Sequence, residues 1–258
     1  FKNTHIIITG AIRGIGLALA EALATEGAHL YLVSRSFEPH TVEHLTTHGA
    51  ASVHLHPCDL GDYTQLDQLV HTLLATNIRY DILINNAGLL TGGLLEEQNP
   101  DEIDAMLRVN LGALIRLTRK MLPHFLSHQN GKIVNNASVS GRMYMPCAST
   151  YAASKAGVLA FTESLKQELR GTGVSTLLMM TPGVKTQMYD EIAQLYGSHL
   201  DVSFVNSIAA PTWSAQVLKA IKDNRDTLYP QGGSRLGVWI GQHWPSLLER
   251  SLKKKFKR

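Results

Sequence analysis

Short apolar runs alternate with amphipathic stretches along the whole chain. We predict strands at residues 5–9, 29–33, 53–56, 81–84, 132–136, 174–179 and 227–229. Helical patterns lie between them, most clearly at residues 15–25, 63–76, 101–126 (with a break near Asn110) and 149–170. Continuous apolar strands separated by helices are typical of a parallel sheet covered on both faces. The pattern therefore predicts an α/β Rossmann fold, a doubly wound parallel sheet of about seven strands with helices on both faces.

Two segments interrupt this alternation. No linker, repeat or low-complexity segment divides the chain before Pro182, and we expect one domain over residues 1–258. Residues 183–208 carry few turn signals and no clear strand, which is typical of a mobile flap over a binding site. Residues 232–258 form a tail with a basic end, which we interpret as a cap over the site or a subunit contact.

Composition narrows the class of protein. The net charge of +3 is too small to indicate a nucleic-acid partner. Cys58 and Cys147 form no CxxC pair, which argues against a disulfide framework and a structural zinc site. His40, His44 and His48 recur at helical spacing, and we expect a solvated face there instead of a metal site. With no apolar run of the roughly 18–20 residues that span a membrane, and no signal peptide before the first strand, we expect a cytoplasmic protein.

A glycine-rich turn follows the first predicted strand and opens the first helix. It reads Gly10-Ala11-Ile12-Arg13-Gly14-Ile15-Gly16. Glycines let the backbone approach a pyrophosphate, and a helix N-terminus supplies free N–H donors and partial positive charge. Between a first strand and a first helix, this turn predicts a dinucleotide site.

The end of the second strand indicates which dinucleotide is bound. An acidic residue there usually holds the ribose 2′-hydroxyl of NAD. This chain has Ser34 and Arg35 instead, with Arg13 in the glycine turn. Guanidinium groups and a hydroxyl suit a 2′-phosphate, so the sequence favours NADP.

Tyr151 and Lys155 supply the candidate chemistry. Residues four apart lie on one face of a helix, so both side chains can serve one site. A phenol with an ordinary pKa near 10 is a weak acid and a weaker base at neutral pH. We expect the Lys155 ammonium to lower the pKa of Tyr151 by favouring the phenolate.

Polar residues follow the neighbouring strands. Ser138 comes after the fifth strand, and Asn85-Asn86-Ala87-Gly88 after the fourth. The carboxyl ends of strands are where doubly wound sheets bind ligands. Asn110 interrupts an otherwise helical pattern.

These motifs together resemble the short-chain dehydrogenase/reductase family, in its single-domain branch of about this length. The matching residues stand in family order from Thr9 to Thr186: Gly10, Gly14, Gly16, Asn85 to Gly88, Asn110, Ser138, Tyr151, Lys155, Pro182 and Gly183. One departure is Ala137, where the family often has a second serine before Ser138.

The resemblance implies roles for individual residues. Tyr151 would be the general acid or base, assisted by Lys155. Ser138 would bind the substrate oxygen, and Asn110 would anchor a water that relays protons. The resemblance implies further cofactor contacts at Asp59, Leu60, Asn85, Ala87, Gly88, Pro182, Gly183 and Thr186. It also implies a homodimer or homotetramer.

The sequence leaves the substrate open. Positions expected to face it are mostly apolar, which favours a lipophilic ketone, aldehyde or secondary alcohol: Leu89, Leu90, Met143, Tyr144, Met145, Cys147, Val184 and Met188. Ser138, Tyr144, Met145 and Met188 are the candidate substrate contacts.

Three alternatives remain beside an NADP-dependent oxidoreductase. One is an NADP-binding regulator without turnover, and another is a nucleotide-sugar epimerase or dehydratase. The third concerns the tail, where Trp239, Ile240, Trp244, Leu247, Leu248, Leu252 and Phe256 lie among Lys and Arg residues. Such a segment is also typical of a helix resting on an anionic membrane, although Pro245 would interrupt it.

Overall fold

The structure is a computed structural model that describes residues 1–258. Its nine strands are β1 (His5–Thr9), β2 (His29–Ser34), β3 (Ser52–Pro57), β4 (Ile82–Asn85), β5 (Gly131–Asn136), β6 (Val174–Met179), β7 (Gly183–Lys185), β8 (Ser207–Ala209) and β9 (Thr227–Leu228). Seven of them form one parallel sheet in the order β3-β2-β1-β4-β5-β6-β9. The seven predicted strands are confirmed, each within one residue at either end.

Ten α-helices accompany the strands. They are α1 (Gly14–Ala24), α2 (Thr41–Thr47), α3 (Tyr63–Leu74), α4 (Pro100–Leu107), α5 (Leu114–Ser127), α6 (Ser149–Glu168), α7 (Gln187–Tyr196), α8 (Ala210–Lys222), α9 (Gly233–His243) and α10 (Pro245–Lys253). A π-helical turn, Arg108–Ala113, joins α4 to α5 and contains Asn110. The predicted break in the long helix is therefore a widened turn and not an end.

The core explains why the middle of β1 is apolar on both faces. Successive side chains of a strand point to opposite faces of the sheet. In β1, Ile6 and Ile8 pack on the face that also buries Trp213 of α8, whereas Ile7 packs on the face that buries Phe125 of α5. Since helices cover both faces, all three isoleucines of β1 are buried whichever way they point.

The strand order places a crevice at the carboxyl ends of β1 and β4. The chain adds β2 and β3 to one side of β1, then returns to add β4 and its successors on the other side. In such sheets, ligands bind where the direction of addition reverses. The loops after β1, β4 and β5 meet at this crevice.

The prediction for residues 183–208 was wrong in one respect. This segment contains two short strands, with Gly183 to Lys185 of β7 pairing with Ser207 to Ala209 of β8, and the helix α7 between them. We keep the name flap for residues 183–208. Three-residue strands have too few positions to show a periodic pattern, and their pairing is set by contacts outside the segment.

The tail consists of two helices, α9 and α10, that meet at Trp244. Pro245 is the first residue of α10, as expected for a residue that cannot continue a preceding helix. The chain then runs antiparallel to the end of the flap, where Leu200 and Phe256 form a bridge. None of the ten helices combines the length and apolarity needed to cross a membrane.

Candidate active site

The turn between β1 and α1 presents bare backbone to the crevice. Gly10 and Gly14 have φ values of +66° and +56°, which favour glycine. A Cβ on Gly16 would overlap the Gly10 carbonyl oxygen, and one on Gly10 would lie 2.8 Å from the Cα of Ala87. The first N–H groups of α1 point into this turn because an α-helix leaves them without internal partners. The turn therefore fits the pyrophosphate of a dinucleotide.

A hydrogen-bonded network fixes the ends of β1, β4 and β5 beside this turn. The hydroxyl of Thr9 accepts the backbone N–H groups of Asn86 (2.9 Å) and Ala87 (3.1 Å). The Asn86 amide donates to the carbonyl of Thr9 (3.0 Å) and accepts from the Asn136 amide (3.0 Å). Thr181 in turn donates to the Asn136 side chain (2.6 Å). The loops are thus held at fixed spacing.

Asn85 has a different environment from its neighbour Asn86. Its side chain is buried, and its amide donates to Thr118 of α5 (3.0 Å) and Asn135 of β5 (2.9 Å). The side chain therefore joins β4 to the core on the far side of the sheet. The loop after β4 is instead held by Thr9 and Asn86, which belong to the motifs quoted above but were assigned no role from the sequence.

The ends of β2 and β3 form the other side of the crevice. Arg35 is exposed and pairs with no carboxylate. Ser34 is half-buried, and its carbonyl accepts the Cys58 N–H (2.8 Å). The Asp59 carboxylate accepts the N–H of Gly61 (2.8 Å), while Leu60 is buried. A guanidinium free of protein partners beside a hydroxyl fits a phosphate on the adenosine ribose.

Ser138, Tyr151 and Lys155 converge at the end of β5. Tyr151 and Lys155 lie one turn apart on α6, with the Lys155 ammonium 5.8 Å from the centre of the tyrosine ring. A tight turn after Ser138 packs against α6, where a Cβ on Gly141 would lie 3.1 Å from the Lys155 carbonyl. This contact places the Ser138 side chain beside the Tyr151 phenol, where it also accepts the Ser140 N–H (3.1 Å).

Burial dominates the protonation of this pair. It raises the pKa of Tyr151 to about 12, against a smaller lowering by the hydrogen bond with Ser138. It lowers the pKa of Lys155 to about 8. The expected lowering of the tyrosine pKa by Lys155 is therefore not found. The Lys155 ammonium donates to the Asn136 backbone carbonyl (2.9 Å) instead, and loss of water around the phenol raises the pKa of Tyr151.

Asn110 lies in the π-helical turn and is almost fully buried. Its Oδ1 accepts the Leu89 N–H (2.7 Å), and its Nδ2 donates to the Leu89 carbonyl (3.0 Å) and the Ser154 hydroxyl (3.1 Å). A Cβ on Gly88 would lie 3.2 Å from the Asn110 Oδ1 and 3.6 Å from the Lys155 Nζ. The structure thus brings Asn110 and Lys155 together beside Gly88.

The start of the flap lies on the glycine turn. The Thr186 methyl would lie 3.0 Å from a Cβ on Gly14, and the Thr186 hydroxyl accepts the Tyr189 N–H (3.3 Å) at the start of α7. Arg13 donates to the Gln187 side chain (2.9 Å). Arg13 is therefore linked to the flap, whereas Arg35 has no such partner.

Residues 4–196 match the family described as short chain dehydrogenase. The chain belongs to the short-chain dehydrogenase/reductase family. A relative of 32% identity over 254 residues, ketoacyl reductase HetN of Nostoc sp., covers 95% of this chain and 86% of its own length. The protein is thus an oxidoreductase of a family that acts on carbonyl and hydroxyl groups with a nicotinamide dinucleotide.

Solved structures give the same fold. A short-chain dehydrogenase from Streptomyces avermitilis superposes with a TM-score of 0.81 at 23% identity, covering 97% of this chain and 96% of the other. A variant of the actinorhodin polyketide ketoreductase, solved with NADPH, superposes with a TM-score of 0.80 at 25% identity, covering 90% and 97%. The predicted fold class is confirmed.

The substrate side of this short-chain dehydrogenase/reductase differs from the expectation at Val184. Its side chain is 4% exposed and packs in the core beside α8, so it does not face a substrate. Tyr144 is exposed, and Met145 and Met188 are half-buried. Val184 was misplaced because its strand, β7, was not predicted.

Tyr196 of α7 is a residue of the site that the sequence reasoning missed. It is buried beside Cys147. Burial raises the pKa of the Tyr196 phenol, and the nearby Tyr151 raises it further. A Cβ on Gly92 would overlap the Tyr196 ring and lie 2.7 Å from the Cys147 carbonyl. Gly92 was the available signal, since a loop glycine often marks a close approach.

Proposed function

We propose that this protein is an NADP-dependent reductase of a lipophilic ketone or aldehyde, with Tyr151 as its general acid. The observation that carries the proposal is the convergence of Ser138, Tyr151 and Lys155 at the carboxyl end of β5. A phenol with a pKa of about 12 stays protonated at neutral pH, so it has a proton to give.

Each of these residues has its own role in the reduction. Ser138 and Tyr151 would both donate hydrogen bonds to the substrate carbonyl oxygen, and the Tyr151 proton would move to that oxygen. NADPH supplies the hydride when it is bound. Lys155, with a pKa of about 8, carries its proton at neutral pH and would stabilise the phenolate that remains.

The preference for NADP rests on Ser34 and Arg35. No carboxylate stands at the end of β2, where it would repel a 2′-phosphate. The actinorhodin ketoreductase, a similar structure, was solved with NADPH. Arg13 would add to this preference by releasing the Gln187 side chain and binding the 2′-phosphate in its place.

The lipophilic substrate is supported by the apolar lining of the flap side and by a relative named as a ketoacyl reductase. Leu90, Met145 and Tyr196 lie in one small apolar cluster. An acyl chain suits such surroundings because burying each CH₂ contributes about 0.8 kcal/mol.

The test is a titration of the protein with NADPH and NADH, followed by turnover on ketones of increasing acyl length. We expect tighter binding of NADPH, and kcat/KM that rises with chain length. Arg35→Asp should weaken NADPH binding at least tenfold more than NADH binding, with Arg170→Asp as the exposed control. Tight NADPH binding without turnover on any ketone or aldehyde would favour the regulator instead, and equal losses of both cofactors would refute the role of Arg35.

A further inference from the structure

Half of the large apolar side chains that the protein exposes lie in the tail or directly against it. Tyr144, Leu236, Trp239, Trp244 and Leu247 are each 46–62% exposed, and only five other large apolar residues of the chain are exposed at all. Trp239 and Trp244 contact each other edge to face, with ring centres 5.2 Å apart. We call these five residues the aromatic patch.

The aromatic patch cannot turn inward, because the opposite faces of α9 and α10 are already packed. Val238 is 2% exposed, and a Cβ on Gly241 would lie 2.8 Å from the Arg142 carbonyl. In α10, Leu252 is 5% exposed. The glycine face of α9 thus lies flat on the protein, and the rings of its other face point to solvent.

Positive charge surrounds the aromatic patch. Residues 232–258 contain seven Lys or Arg and one Glu, whereas the rest of the chain has more acidic than basic residues. Three of these cations are paired, namely Lys253 with Glu249, Lys255 with Asp201 and Arg258 with Glu96.

The other four cations of this segment pair with no carboxylate. They are Arg235, Arg250, Lys254 and Lys257. Their charge therefore remains available to an anionic partner.

We propose that α9 and α10 dock the protein on an anionic lipid bilayer. Tryptophan and tyrosine favour the level of lipid headgroups, and clusters of Lys and Arg on amphipathic helices bind anionic lipids. The helices lie on the bilayer and do not cross it. A two-fold contact with a second copy would set this cation-rich surface against itself, which costs electrostatic energy.

Docking would place the substrate side of the protein near the lipid. Tyr144 of the aromatic patch and Met143, which packs under α9, follow Ser138 in the same loop. Binding to lipid requires no turnover, so this proposal stands independently of the proposed reaction.

The test is sedimentation of the full chain with vesicles of phosphatidylcholine, with and without about one-third phosphatidylserine, at low salt. We expect binding to the anionic vesicles that weakens as salt is added. Lys254→Gln with Lys257→Gln should weaken it by about fivefold for each charge removed. Arg119→Gln with Arg170→Gln, two exposed cations elsewhere, should leave it unchanged.

Tryptophan fluorescence gives a second readout. Of the three tryptophans, Trp213 is fully buried, so a blue shift on adding vesicles and quenching by brominated lipid must come from Trp239 and Trp244. Trp239→Ser with Trp244→Ser should lower the partition coefficient at least tenfold, whereas Val42→Ser should not. No binding to anionic vesicles at low salt would overturn the proposal. Two other results would also overturn it, if the protein binds no vesicles. One is that the tryptophan substitutions dissociate a dimer, and the other is that the protein binds duplex DNA.

Discussion

The side-chain amide of Asn110 holds both backbone groups of Leu89, accepting its N–H at 2.7 Å and donating to its carbonyl at 3.0 Å. This pairing closes the loop after β4 as a strand would, across 21 residues of sequence. It also explains why the helix widens at this point, since the π-helical turn moves Asn110 toward the loop. The conformation of that loop beside the active site therefore depends on the side-chain amide of Asn110.

Replacing Asn110 should destabilise the fold and loosen the loop together. In Asn110→Leu, the Leu89 N–H and carbonyl lose their partners, and each unsatisfied buried group costs about 1–3 kcal/mol. Urea unfolding should show a loss of about 2–5 kcal/mol. Asn130→Leu, at an exposed position, should stay near wild type, and an equally small loss for Asn110→Leu would contradict the assigned role.

Tyr151→Phe separates chemistry from binding. The phenylalanine ring keeps the packing but has no proton to donate, so turnover should fall about 10²–10⁴-fold. NADPH binding, measured by fluorescence titration, should change little. Tyr229→Phe removes an exposed hydroxyl of the same kind and should keep full activity. Turnover within tenfold of wild type for Tyr151→Phe would exclude it as the general acid.

The rate of reduction should decrease as pH rises through about 8. Burial lowers the pKa of Lys155 to about 8, so the ammonium loses its proton above that pH, and with it the charge that stabilises the phenolate. Below that pH the charge is fully present. The measurement is kcat between neutral and alkaline pH, with Lys155→Met as the comparison. A wild-type profile that stays flat through alkaline pH would remove this role from Lys155.

Gly92→Ala tests the contact between the flap and the loop after β4. The new methyl group would overlap the Tyr196 ring, so α7 must shift, and overpacking of this kind costs about 1–3 kcal/mol. We expect kcat/KM to fall at least tenfold with NADPH affinity within twofold of wild type. Gly233→Ala meets no atom within 4 Å and serves as the control. Unchanged kcat/KM would mean that Tyr196 does not shape the substrate site.

Sequence alone was enough for the main sheet because its central strand is a continuous apolar run and its other strands contain shorter ones. Ile6, Ile7 and Ile8 are buried whichever way they point, so their pattern needs no knowledge of partners. The site residues followed because Tyr151 and Lys155 share a helix face, and Ser138 follows a strand. Both relationships hold between residues close together in the sequence, so the spacing of residues along the chain is enough to predict them.

The flap and the tail could not be predicted in the same way. β7 and β8 are three residues each and pair across more than twenty residues, so Val184 gave no sign of its buried position. The position of Tyr196 is set by the packing of α7 against Gly92, which lies far earlier in the chain. The protonation of Tyr151 also required the structure, because burial is a property of the assembled site.

The central position of β1 has a consequence for biosynthesis. This strand is made before the other strands of the sheet, yet one of its two edges stays unpaired until residues 82–85 are available to form β4. A nascent chain of β1, β2 and β3 would therefore display an isoleucine-rich strand edge, a known template for wrong pairing between chains. Aggregation during synthesis or refolding should be most severe before β4 pairs, and a chaperone that shields this edge would raise the yield of folded enzyme.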